Sequence, residues 1–115
     1  MKRPVVVLAE DDPTVRDLIS AALSLLGRFR IGGVAADGLE GAMIAADVDP
    51  DVVLLDYFMP RWDGCRAAEF IRIHCPRAKI VALSKDDEAV PEWADSVVAK
   101  AHIDRIVPLM LGLVA

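Results

Sequence analysis

Short apolar runs rich in β-branched residues recur along this chain, and most of them close on a polar or charged residue. Val5 to Ala9 is the clearest, followed by Val52-Val53-Leu54-Leu55 and Ile80-Val81-Ala82-Leu83, with weaker runs at Ile31 to Ala35 and Val97-Val98-Ala99. A run of this length without alternation marks a strand buried on both faces, and such strands belong mostly to parallel sheets covered by helices. Five strands are expected.

The intervening segments carry helical periodicity. Pro13 suits the first position of a helix with Asp12 as its cap, and Val15, Leu18, Ile19, Ala22, Leu23 and Leu26 mark one apolar face that ends at Gly27. A second helix is expected from about Leu39 to Val48, a third from about Cys65 to His74 ahead of Pro76, and a last from about Ile103 to Leu113, where Pro108 could introduce a kink. Alternating strands and helices predict an α/β fold with a doubly wound, five-stranded parallel sheet. In such sheets ligands bind beyond the carboxyl ends of the strands, where the winding reverses.

Size and charge narrow the function. The 115 residues, 55% of them hydrophobic, suffice for one core and leave no room for a second domain, so residues 1–115 are expected to form a single domain. A net charge of −5 with scattered Lys and Arg argues against direct nucleic-acid binding, which needs clustered cations. The pair Arg61 and Arg66 around Trp62 reads as a loop and a helix start. Cys65 and Cys75 have neither CxxC spacing nor a companion His cluster, so they read as reduced thiols. The Val5 to Ala9 run is too short for a signal peptide or a membrane span, and a cytoplasmic protein is expected.

The strand ends gather the chemistry: Glu10-Asp11-Asp12 after the first, Asp56 after the third, Ser84 after the fourth and Lys100 after the fifth. Carboxylates crowded into one crevice raise one another's pKa unless a cation holds them ionised, and a hard ion such as Mg²⁺ suits oxygen donors that also meet a phosphate. Lys100 adds a positive charge and Ser84 a hydroxyl. Asp56, alone at its strand tip, is the natural nucleophile toward phosphorus, while Glu10 and Asp11 act together on the metal. The product is an acyl phosphate.

The stretches LAEDDPTVR, DGLEGAMIAADVDPDVVLLDYFMPRWDG, IVALS and VVAK resemble, in order and over essentially the whole chain, the motifs of bacterial two-component response-regulator receiver domains, which have a flavodoxin-like fold. DVVLLDYFMPRWDG is the most specific of them. The resemblance implies that Asp56 is the phosphoacceptor and that Glu10 and Asp11 position Mg²⁺ or Mn²⁺ together with Asp56 and the main-chain carbonyl of Phe58. It implies further that Ser84 is the switch hydroxyl and Lys100 the lysine that pairs with the phosphoryl group. The partners implied are a histidine kinase or phosphotransfer protein and an unknown downstream protein, reached by protein contacts rather than through DNA or a membrane. Such a receiver catalyses only its own phosphoryl transfer and dephosphorylation. His74 and His102 have no recognisable partners and read as surface residues.

Several positions depart from the family. The stretch after Ser84, KDDEAVPEWADS, is short, contains Pro91 and lacks an apolar period, so the fourth helix of the family is expected to be short or missing. Val97 stands where an aromatic switch is usual, and Ala101 where a Pro commonly follows the lysine. Lys85 replaces a small residue, so it either obstructs the phosphodonor or adds charge beside it. Phe58 is apolar where polar side chains often influence hydrolytic water, which predicts a shielded, long-lived acyl phosphate.

The main reading is therefore a stand-alone receiver with no effector domain. Its rival is a pseudo-receiver, an interaction module that ignores phosphate, favoured by the short fourth segment, Val97 and Lys85. An aspartyl phosphatase of the haloacid-dehalogenase type fits poorly, because the place of its second Asp holds Phe58, and a flavodoxin-like cofactor binder lacks a Gly-rich phosphate loop. The apolar residues of the last helix, Leu109-Met110-Leu111 and Leu113-Val114, suit either a homodimer or kinase contact or simple burial against the sheet.

Overall fold

In the computed structural model, which describes residues 2–115, the chain forms β1 (Val5–Ala9), α1 (Pro13–Leu26), β2 (Arg30–Ala35), α2 (Gly38–Val48), β3 (Val52–Asp56), α3 (Gly64–His74), β4 (Lys79–Ser84) and β5 (Ser96–Ala99). A 3₁₀ helix (Lys100–Arg105) then leads into α4 (Ile106–Val114). The strands lie parallel in the order β2-β1-β3-β4-β5, so the chain winds one way from β1 to β2 and the other way from β1 through β3. The reversal places the carboxyl ends of β1 and β3 side by side, with Leu8 opposite Leu54 and Ala9 opposite Leu55.

The three clearest apolar runs, in β1, β3 and β4, are buried as their lack of alternation requires, and every residue of β3 is buried, whereas the weaker runs in the edge strands β2 and β5 are only partly buried. One face of the sheet joins α2 and α3 in a core built on Val7, Val53, Leu55, Ala67 and Ile71. The other joins α1 and α4 through Leu8, Ile19, Leu23, Leu54, Ile106 and Met110. At ~25 cal/mol per Å² of buried apolar surface, these two interfaces are the main favourable contribution to folding.

The helix ends match their local chemistry. The Asp12 carboxylate accepts from Thr14 N at 2.9 Å and Val15 N at 3.3 Å, with Pro13 in the first turn, and Gly27 closes α1 at φ 62°. Asp37 and Asp63 cap α2 and α3 by accepting from Glu40 N and Arg66 N, each at 2.8 Å.

Two differences from the sequence reading stand out. Leu18 and Leu26, expected on the apolar face of α1, are 53% and 59% exposed. Leu18 sits at the flank of that stripe, and Leu26 opens onto a groove shared with Ile103, Val107 and Leu111. The last helical segment begins earlier and in 3₁₀ form, with its break at His102 (φ −120°, ψ 51°) rather than at Pro108. Pro108 lies in the first turn of α4, where its missing N–H breaks no helical bond. Between β4 and β5 there is no helix among the described residues, only a turn near Trp93, as the Pro-bearing, aperiodic segment predicts. In α4, Met110 is buried while Leu109, Leu111, Leu113 and Val114 are partly buried against the same core.

Candidate functional site

Asp56 is the last residue of β3, only 6% exposed, and it faces a cleft of about 540 Å³ at the carboxyl end of the sheet. Glu10, fully buried, and Asp11, exposed, follow β1 directly, and oxygens of these three carboxyl groups lie within 4.8 Å of one another. Lys100, the first residue after β5, reaches in with Nζ 2.7 Å from Glu10 Oε1 and 3.0 Å from Asp56 Oδ1. The reversal in winding thus brings together four of the residues singled out from the sequence.

The backbone fixes this arrangement. Tyr57 N donates to Asp56 Oδ1 at 2.8 Å, and Asp12 N donates to Glu10 Oε2 at 3.1 Å. Arg16, one turn into α1, donates from Nη1 to the Glu10 carbonyl at 3.0 Å, tying the acidic segment to the helix that follows it. Gly64 sits where nothing larger fits, because a Cβ there would collide with the Asp56 carbonyl oxygen and press on the Trp93 indole. Its N–H closes the turn by donating to Tyr57 O at 2.8 Å.

The charges are strained against one another. Burial, reinforced by the Glu10 and Asp11 carboxyls, outweighs Lys100 and pushes Asp56 up to about 7. For Lys100, burial works to lower the pKa, but its contacts with Glu10 and Asp56 prevail and hold the ammonium above its ordinary value. For Asp11, burial works upward, yet hydrogen bonding with the Asp56 and Glu10 carboxyls and the field of Lys100 bring it below the usual carboxylate value. Glu10 Oε1 has no hydrogen-bond partner beyond its ionic contact with Lys100. An all-oxygen donor set, one buried oxygen short of partners and a carboxyl forced toward its neutral form together fit a small hard cation such as Mg²⁺ or Mn²⁺.

Ser84 ends β4 at 1% exposure and makes its side-chain hydrogen bonds to Asp86 rather than to Asp56. Its hydroxyl donates to the Asp86 carbonyl oxygen and accepts from Asp86 N at 3.2 Å, bracing the first turn after β4. Phe58, 80% exposed, and Lys85 line the cleft, while Val97 is half-buried on β5. His74 is exposed and His102 half-buried, both outside this cleft.

Sequence reasoning missed Tyr57 and Arg16 and gave Trp93 no role at the site. The Tyr57 ring meets Trp93 edge to face at 5.2 Å, so the residue after Asp56 touches the segment between β4 and β5. Only the adjacency of Tyr57 to Asp56 could have flagged it. The Arg16 bond and the docking of Trp93 depend on tertiary placement.

The profile of the response regulator receiver domain matches residues 6–106. Among curated proteins, the chain is 37% identical over 79 residues to a probable C4-dicarboxylate response regulator, DctR, of Halalkalibacterium halodurans, covering 69% of this chain and 34% of that protein. It is 36% identical over 83 residues to the probable transcriptional regulatory protein NarL of Mycobacterium tuberculosis, covering 72% and 38%. The chain therefore spans little more than a third of the length of these relatives. The solved signal receiver domain of the Mycobacterium tuberculosis NarL superposes with a TM-score of 0.82 at 27% identity, covering 97% of this chain and 99% of that one. A LuxR-family DNA-binding response regulator from Staphylococcus aureus shares the fold, with a TM-score of 0.86 at 22% identity over 97% and 99% of the two chains.

Proposed function

This chain belongs to the response regulator receiver domain family, and we propose that it accepts a phosphoryl group on Asp56 and signals by changing its contacts with other proteins. The observation that carries this reading is the buried Asp56 carboxyl, held between Lys100 and the Glu10–Asp11 pair at the mouth of the cleft.

Both fixed contacts of Asp56, from Tyr57 N and Lys100 Nζ, fall on Oδ1. We assign the other carboxylate oxygen as the nucleophile. Tyr57 N–H and Lys100 orient the carboxylate, so that attack needs little reorganisation. Lys100 also balances charge on the transferring oxygens. Mg²⁺ or Mn²⁺, held by Glu10, Asp11, Asp56 and the Phe58 main-chain carbonyl, would keep Asp56 ionised and neutralise the phosphoryl oxygens. Ser84 would then exchange its bond to the Asp86 carbonyl for one to the phosphoryl group. Phe58, at the rim, would keep water from the acyl phosphate.

By the same reading, the phosphodonor is a histidine kinase or phosphotransfer protein, the compartment is the cytoplasm, and the chain's own chemistry is limited to gaining and losing its phosphoryl group. Among the described residues, no helix is long and apolar enough to cross a membrane. The complete acidic set with Lys100 in contact favours this reading over a phosphate-independent pseudo-receiver.

The test is the intact mass after incubation with acetyl phosphate and Mg²⁺. A phosphoryl adduct is expected in the native protein and absent from Asp56→Asn and from a metal-free sample. An adduct that persists in Asp56→Asn, or none in the native protein, overturns the reading. Phe58→Asn should shorten the half-life of the adduct, and an equal half-life would remove the shielding role.

A further inference from the structure

We infer that Lys85 is the cation that draws anionic phosphodonors into the cleft and so biases which donors Asp56 takes, an inference that rests on Asp56 being the phosphoacceptor. The cleft is lined on its open side by carboxylates: Asp11, Asp12, Asp86 and Glu88 all border it and all are exposed. A phosphate group entering this space meets repulsion before it meets Asp56. Two ammonium groups line the same cleft. Lys100 is committed to its ionic contacts with Glu10 at 2.7 Å and Asp56 at 3.0 Å, and its side chain is only 13% exposed. Lys85 is exposed, and among the described residues it takes part in no ion pair.

The position of Lys85 in the chain matters as much as its charge. It follows Ser84 directly, and Ser84 is held by two hydrogen bonds to Asp86, one on each side of the hydroxyl. The backbone on both sides of Lys85 is therefore pinned at the cleft wall, while the long side chain is free to follow an incoming anion. A surface cation of this kind acts on encounter and orientation, and its influence falls with ionic strength.

The transfer itself is balanced without Lys85 giving up a proton. With acetyl phosphate, an Asp56 carboxylate oxygen forms the new O–P bond as the P–O bond to acetate breaks. Acetate leaves with the electron pair, and the ammonium of Lys85 meets only the non-bridging phosphoryl oxygens. A purely obstructive Lys85 predicts the opposite sign, because shortening it would speed every donor.

Time courses of the phosphoryl adduct by intact mass, at saturating Mg²⁺ and pH 7, separate these cases. They would compare the native protein, Lys85→Met and Lys85→Arg, using the dianion acetyl phosphate and the monoanion phosphoramidate. At low salt, Lys85→Met should react roughly three- to tenfold more slowly than the native protein with acetyl phosphate, and lose much less with phosphoramidate. The gap should close in about 1 M salt, where the screening length is ~3 Å, and Lys85→Arg should keep the native rate. Equal or faster phosphorylation of Lys85→Met by acetyl phosphate at low salt overturns the inference and leaves the phosphoacceptor reading intact. No adduct on the native protein overturns both.

Discussion

The turns that follow β3 and β4 leave neighbouring strand tips, yet they are held in different ways. After β3, every few residues make a short-range bond: Tyr57 N to Asp56, Gly64 N to Tyr57 O, and Arg66 N to Asp63 at the cap of α3. After β4, Ser84 braces one turn, residues 85–90 are exposed, and the chain is next secured near Trp93 and Asp95. Trp93 packs on the α2–α3 core, against Gly64 and Tyr57, in the layer where a helix would otherwise cover the sheet. The first turn is held by dense local bonding around an unfavourable charge cluster, the second by the Ser84 brace at its start and by the Trp93 indole and Asp95 carboxylate, with the bonds around them, at its end. Bonding is dense around Asp56 and sparse over the exposed residues 85–90.

The largest expected effect breaks the first turn through its charge. The folded protein favours the neutral Asp56 carboxyl, raised from 3.8 to about 7 chiefly by burial. A raised pKa contributes stability that is complete below about pH 4 and lost as pH climbs through 7. That contribution is on the order of 4 kcal/mol. Asp11 shifts the other way, but its contribution is present above its ordinary value of 3.8 and lost below it, outside this window. Lys100 loses its contribution only above 10.5. Denaturant melts without divalent metal should therefore show stability falling from pH 5 to pH 8, with Mg²⁺ restoring it at pH 8 in the native protein. A flat profile in the native protein would contradict the charge-strained picture.

This strain was only partly legible in the sequence. Asp56 at the end of VVLL, Glu10-Asp11 after β1 and Lys100 after VVA could be placed because apolar runs fix strand ends and the fold fixes where strand ends meet. The Asp12 cap and the missing helix before β5 were legible for local reasons: proline, capping chemistry and apolar period act within a few residues. Arg16 on the Glu10 carbonyl, Ser84 turned toward Asp86 and Trp93 against Gly64 are matters of tertiary distance or rotamer choice, which no periodicity encodes. The 3₁₀ start at Lys100 escaped for a similar reason, since Ala99 offers it no side-chain cap that would mark its beginning.

The next effect sharpens the contrast from the side of the second turn. Trp93→Ala removes a half-buried indole from the α2–α3 core and its edge-to-face contact with Tyr57. The expected loss is about 3 kcal/mol, at the lower end for aromatic truncation because the ring is not fully enclosed. Hydrogen exchange should rise over residues 85–95 far more than over β3 or α3. A uniform rise across the sheet would mean that the two turns form one cooperative unit and that the contrast drawn between them is wrong.

Asp95 tests the other anchor, with a smaller effect. Its carboxylate accepts from Ile80 N at 2.8 Å and from Arg72 Nη1 at 3.0 Å, joining the end of this segment to β4 and α3, while Arg72 Nη2 also donates to the Trp93 carbonyl at 3.2 Å. Burial works to raise its pKa, but the Ile80 N–H and the Arg72 guanidinium prevail and hold it below 3.8. A depressed carboxylate contributes stability that is present above its unfolded value and lost as pH falls through the folded one. Asp95→Asn keeps the shape, and its amide oxygen still accepts from Ile80 N, so only the charged part of the interaction disappears. With both partners about a third exposed, that part is about 1 kcal/mol. The difference between native and variant melts should be present at pH 6 and shrink below pH 4, as the native carboxylate becomes protonated and resembles the amide. A difference that persists unchanged at pH 3 would show that Asp95 holds the segment by shape rather than by charge, so that neither of the two anchors, Trp93 or Asp95, is electrostatic.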